Sequence, residues 1–319
     1  MKTLKKIGRF MRSWALIFSM AAGVAAYFVY EAIPWLAPTR AFALSAVEIA
    51  QPLLIFAMLF LTFCKVNPRR LRLCAWHWRL LAIQAGLFIA IGLAVMSLPP
   101  GGLRIVLEGA MICFICPVAT AGAVVTRKLG GSATHITTYT ILINLVAALI
   151  IPAVVPFVHP HPGLSVWNGM MLILGKVFPL LLLPLFLAFM VRWLSPRLHF
   201  VLTQRKDLAF KLWVVALFLA VAVTVRYIMH SRITLPVGLA LVGVTLTACL
   251  LQFALGWKIG ARFGDRITAG QALGQKNTVF AIWIGYTFFT PITSIAGGFY
   301  SIFHNVINSV QLHKMEKKV

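Results

Sequence analysis

Apolar stretches close to the length of a bilayer crossing recur ten times in this chain, separated by short loops of which alternate ones are basic. A membrane-spanning helix needs about 20 predominantly apolar residues, and the stretches fall at residues 14–30, 41–63, 79–98, 104–126, 133–157, 166–191, 208–228, 235–257, 268–289 and 291–312. The 319 residues are 61% hydrophobic and 11% charged, with a mean hydropathy of +0.93. A soluble domain has too little interior to hide such a surface, so the sequence predicts an all-α, polytopic membrane protein.

The placement of charge fixes the count of crossings. Lys and Arg number 29 against six acids, for a formal charge of +23. These residues form no single patch or arm, which argues against nucleic-acid binding. With ten spans, 23 of the basic residues fall on one side of the membrane and only Arg40, Arg104, Arg226 and Arg232 on the other. Lys176 and Lys276 remain within spans. Such asymmetry is what orients helices in a bilayer, with the basic loops inside. The expectation is a multi-pass protein of the cell (inner) membrane, both termini cytoplasmic.

Ten spans divide into residues 1–160 and 161–319, helices 1–5 and 6–10, joined at His159-Pro160-His161-Pro162-Gly163. An odd number per half makes the second half enter from the opposite side, so the two are expected to be inverted repeats. Residues 268–311 hold the most unusual of the spans. Gly270, Gln271, Gly274, Gln275, Lys276 and Asn277 precede an apolar run, too polar for a lipid-facing helix. Irregular backbone at membrane depth survives only inside protein or against a cavity, so residues 270–278 are expected to be a break in helix 9. Helix 4 holds Pro117 and Gly122 at the corresponding place in the first half, and proline lacks the amide hydrogen an unbroken helix requires. Helices 4 and 9 are therefore expected to be discontinuous and to cross near the midplane, the usual position of a transport site in such repeats.

These segments, Cys116-Pro117-Val118-Ala119-Thr120-Ala121, Gly274-Gln275-Lys276-Asn277 and Tyr300-Ser301-Ile302-Phe303-His304-Asn305, resemble the bile acid:sodium symporter superfamily. The resemblance implies a panel domain of helices 1, 2, 6 and 7 and a core domain of helices 3–5 and 8–10. Substrate would sit between them and sodium at the crossing. It further implies a substrate site of Thr120, Gln275, Lys276, Asn277, His304 and Asn305. The equivalents of the ion-site residues are Gln84, Gly122, Ala123, Thr137, Thr140, Gln271, Ala272 and Lys276. The chain departs from the family where sodium is held. Ala272 stands in place of an acid, Lys276 in place of a glutamine, and Gly122-Ala123 in place of Ser-Asn. A cation prefers several oxygen ligands and is repelled by an ammonium, so the two sodium sites are expected to be lost.

Three roles are open for Lys276: permanent replacement of a bound cation, titration that couples transport to protons, or structural pairing and snorkelling. Glu48 and Lys176 lie at comparable depth and are expected to pair. Glu108 faces either Lys276 or the outer vestibule. The stripe Ser301, His304, Asn305, Asn308 and Gln311 lies on one face of helix 10, as interhelical glue or as substrate contact. His135, Thr137, Thr138 and Thr140 are expected to support the crossing. Cys113 and Cys116 are expected to pack rather than bind zinc, and no metal or cofactor is expected. No Ser-His pair, paired aspartates or H-E-x-x-H motif suggests an enzyme. The combined expectation is a secondary transporter of a small organic anion, a carboxylate or sulfonate, working by alternating access without sodium. The alternatives are a sodium- or proton-coupled, bile-acid-like symporter, a channel, and a non-transporting sensor.

Overall fold

The computed structural model describes residues 18–205, 208–231 and 233–316. The start of the first expected span, with Lys2, Lys5, Lys6, Arg9, Arg12 and Trp14, lies outside the described residues, as do Lys206, Arg232, Lys317 and Lys318. Helix α1 covers residues 18–32. It is followed by α2 (Arg40–Cys64), α3 (Ala75–Met96), α4 (Gly102–Ile115), α5 (Gly122–Lys128) and α6 (Ala133–Val158). The second half holds α7 (Val166–Leu194), α8 (Pro196–Gln204), α9 (Leu208–His230), α10 (Leu235–Ala261), α11 (Arg266–Gly274), α12 (Thr278–Phe288) and α13 (Pro291–Glu316). Among the described residues the only extended pairing is an isolated antiparallel bridge between Val118 and Lys276.

Among the described residues, six helical segments are long and apolar enough to cross a membrane: Pro34–Cys64, Ala75–Met96, Ala133–Val158, Val166–Leu194, Leu208–His230 and Leu235–Ala261. The surface they present is inverted relative to that of a soluble protein. Phe42, Ile49, Leu93, Phe186 and Leu239 are exposed large apolar residues, and so many on one molecule require a lipid solvent. The chain is a multi-pass membrane protein.

Two expected spans are each divided into end-to-end helices. Residues 116–121 separate α4 from α5, and residues 275–277 separate α11 from α12. The second break is shorter than residues 270–278, because α11 remains helical through Gly274. Its glycines serve packing rather than unwinding. A methyl group added at Gly270 would overlap the Trp257 ring, and one at Gly274 the Phe253 ring. On the facing helix, a Cβ at Gly256 would lie 2.5 Å from the Ala269 carbonyl oxygen. Small residues let α10 and α11 approach backbone to backbone, the usual route to tight association in lipid.

Around this pair, α4 packs against α3, α10 and α13, while α2 packs against α7 and α9. The largest apolar cluster joins Ile55, Met58, Phe63, Met111, Ile151, Val177, Ala216 and Phe280. α2 and α7 contribute Ile55, Met58, Ile173 and Val177 to that cluster, and Glu48 and Lys176 are exposed on the same two helices. The expected ion pair between them is absent among the described residues. The Lys176 ammonium instead lies 5.9 Å from the centre of the Phe288 ring.

Gly256→Val is expected to lower stability by roughly 1–3 kcal/mol, the usual cost of overpacking, because backbone cannot retreat from the new side chain. Gly86→Ala meets nothing within 4 Å and is expected to cost nothing measurable. Thermal unfolding in detergent checks both, and an unaffected Gly256→Val would contradict the close α10–α11 contact.

Candidate functional site

Pro117 cannot donate, so α4 ends at Ile115, its last backbone bond running from Cys116 N–H to the Ile112 carbonyl at 3.2 Å. The freed backbone groups find partners in the other break. Ala119 N–H donates to the Gln275 carbonyl at 3.0 Å, and Asn277 N–H donates to the Pro117 carbonyl at 2.8 Å. The two interruptions thus cross as a short antiparallel ladder centred on Val118 and Lys276.

The last carbonyls of α4 carry the negative end of the helix dipole and lack intrahelical partners. Lys276 Nζ donates to the Phe114 carbonyl at 3.2 Å. Gln84 Nε2 donates to Ile115 and Cys116 at 3.2 and 2.9 Å, and Gln252 Nε2 to Cys113 at 3.2 Å. The Gln84 amide is itself oriented by Tyr139, whose hydroxyl donates to Oε1 at 2.9 Å. At the end of α11, Tyr300 donates to the Gly274 carbonyl at 2.8 Å and accepts from Gln252 at 3.0 Å. At the start of α12, Asn277 Oδ1 accepts from Phe280 N–H at 3.2 Å. Gln252 and Tyr139 were not singled out in the sequence, and Tyr300 stood there only as part of the helix 10 motif. The signal of Gln252 and Tyr139 there was a lone polar group within an apolar run.

Lys276 is 1% exposed, so it neither snorkels nor meets lipid. Its backbone N–H donates to His304 Nδ1 at 3.3 Å. A neutral His304 therefore carries its proton on Nε2 and offers a donor there. His304 Nε2, both amide atoms of Gln275, both of Asn308, and Asn277 Nδ2 have no hydrogen-bond partner among the described residues. Below them Gln271 Nε2 donates to Gln311 Oε1 at 3.1 Å. His304, Asn308 and Gln311 lie at i, i+4 and i+7 on α13 and form one polar stripe against the break. Asn305 belongs beside this stripe, its amide donating to the Ser301 carbonyl at 2.8 Å.

Several residues at the equivalents of the ion sites have partners within the protein. Thr137 and Thr140 donate to their own helix, at Ala133 (2.7 Å) and Ile136 (2.8 Å). Gln84 Oε1 is taken by Tyr139. Ala272 lies in an apolar cluster with Trp76, Leu80, Tyr139 and Ile143. A Cβ at Gly122 would meet Val118 Cγ1 at 2.7 Å, which leaves little room for a larger residue there. Thr120 and Ala123 are half-buried beside the break. The five cysteines are free. His135 Nδ1 lies 2.6 Å from Asp265 Oδ2, tying the start of α6 to that of α11. Glu108 has partners other than Lys276. It pairs with Arg104 at 3.4 Å and His159 at 3.3 Å and accepts from Thr293 at 3.1 Å, while Arg104 also donates to the Val158 carbonyl.

No protein-family model matches the chain, and no curated protein matches it either.

Gln84→Leu would leave the Ile115 and Cys116 carbonyls and the Tyr139 hydroxyl without this partner. It is expected to cost at least about 1–3 kcal/mol, the penalty for one stranded buried group. Tyr139→Phe removes a single bond and is expected to cost about 1 kcal/mol. Denaturation followed by intrinsic fluorescence reads both, and a Gln84→Leu protein as stable as the parent would refute the capping role.

Proposed function

We propose that the protein is a secondary transporter of a small organic anion that works by alternating access and needs no sodium. The observation that carries this reading is the Lys276 ammonium, 3.2 Å from the Phe114 carbonyl at the crossing of two interrupted helices. It occupies the position where a mobile cation would otherwise neutralise the carbonyl end of α4. In this reading ten spans form two inverted repeats, residues 1–160 and 161–319, with both termini cytoplasmic in the inner membrane. α1, α2, α7 and α9 make the panel, and α3–α6 with α10–α13 make the core. The bile acid:sodium symporter superfamily, which the helix 4, 9 and 10 motifs resemble, supplies that division.

Because the ammonium is already engaged by a carbonyl, the substrate anion meets mainly neutral donors. His304 Nε2–H, Gln275, Asn277 and Asn308 present them, next to the electropositive start of α12. Buried polar groups without partners cost too much to be retained as filler in a membrane interior. A ligand that alternately engages them is a physical reason for their presence. Thr120 and Asn305 border the same region. The backbone ladder across the two breaks binds the crossing into one unit within the core, which suits a carrier whose core moves against the panel better than an open pore.

Uptake of a panel of carboxylates and sulfonates into proteoliposomes tests the proposal. Saturable uptake and counterflow are expected with or without sodium, and a strict sodium requirement would contradict it. Asn308→Leu is expected to reduce uptake about tenfold, the equivalent of one hydrogen bond of about 1.4 kcal/mol. Unchanged transport by that variant would remove Asn308 from the site.

A further inference from the structure

A second charged feature lies far from the crossing, where the ends of α2 and α7 meet α8. The chain leaves α2 at Cys64 and makes a tight turn over Pro68–Arg70, with Asn67 Oδ1 accepting from Arg69 N–H at 3.1 Å. Arg192, in the last turn of α7, donates from Nη1 to the Val66 carbonyl at 2.7 Å. His199 of α8 contacts the Cys64 carbonyl at 2.8 Å and holds that helix across the end of α2. Between these elements lies a cavity of about 400 Å³ lined by Asn67, Pro68, Arg69 and Arg192. That volume is within the roughly 300–1,000 Å³ of small-ligand sites.

Residues 64–74 and 191–205 contain seven basic side chains and no acidic one. No carboxylate of either segment competes for the arginines. The cavity's rim is apolar as well as cationic. Leu202 packs against the core, while Leu198, Phe200 and Val201 of α8 are exposed at 48%, 62% and 50%. Trp193 and Leu194, just before α8, are exposed at 83% and 65%. A short helix with apolar residues outward beside arginines fits the boundary between headgroups and acyl chains. Guanidinium groups match phosphate oxygens through paired N–H donors, which suits them to that layer.

We propose that this cavity binds the phosphate of an anionic phospholipid, with the acyl chains running along the exposed face of α8. The inorganic ion shares the phosphate chemistry but not the apolar rim, so the lipid is the committed occupant. The whole protein is reconstituted in nanodiscs of phosphatidylcholine, alone or mixed with phosphatidylglycerol, and retained lipids are counted by native mass spectrometry after transfer to detergent. Preferential retention of phosphatidylglycerol is expected, and Arg69→Gln is expected to lower it about tenfold. Arg69 is exposed and its loss spares the Arg192–Val66 contact, so folding is not at stake. Arg205→Gln, also basic but outside the cavity lining, is expected to leave retention unchanged. Equal retention by Arg69→Gln and the parent, or no preference over phosphatidylcholine, overturns the site. Displacement of the lipid by inorganic phosphate overturns the assignment to a lipid.

Discussion

A backbone that stops being helical in a membrane must find hydrogen-bond partners without water, and this requirement organises the molecule. Neither interruption satisfies it alone. Residues 116–121 lack the donor that Pro117 cannot supply, and residues 275–277 leave the ends of α11 and α12 open. Each supplies what the other lacks, through Ala119 to Gln275 and Asn277 to Pro117. The surrounding glycines follow from the same demand. Gly256, Gly270 and Gly274 bring α10 close against α11, which places Gln252 within reach of the Cys113 carbonyl and Tyr300 at the α4–α11 junction.

The electrostatics follow from the geometry. A lysine at the centre of a span costs about 2.5–3.5 kcal/mol on insertion scales. Here the ammonium faces the carbonyl end of α4, where positive charge is favoured by the helix dipole. A covalently held cation also carries no transmembrane gradient. In the proposed mechanism the direction of net transport is therefore set by the substrate's own gradient and not by an ion bound at this position. Glu108, midway along α4, is engaged by Arg104 and His159 rather than by Lys276.

Much of this was legible in the residue order, and the exceptions have definite causes. The apolar runs and basic loops marked the membrane class, and Pro117 marked the first break. The second break was read too long because glycine in a polar stretch signals either unwinding or close packing, and only the positions of Trp257 and Phe253 distinguish them. Gln252 and Tyr139 looked like isolated polar residues, since their role depends on a carbonyl terminus brought from another helix. Thr137 and Thr140, expected to support the crossing, donate within their own helix, a preference that residue order does not reveal. Comparable depth suggested a Glu48–Lys176 pair, but depth does not say which neighbour a side chain meets, and the Lys176 ammonium lies against the Phe288 ring instead.

The most direct test of the central claim is the melting temperature of the purified protein as sodium replaces choline at constant ionic strength. A specifically bound ion raises stability by mass action, about 2.7 kcal/mol at a hundredfold excess over its dissociation constant. If Lys276 holds the cation position at the crossing, sodium leaves the melting temperature unchanged. A saturable rise with sodium would show that the site still takes a free ion, and the account would fail.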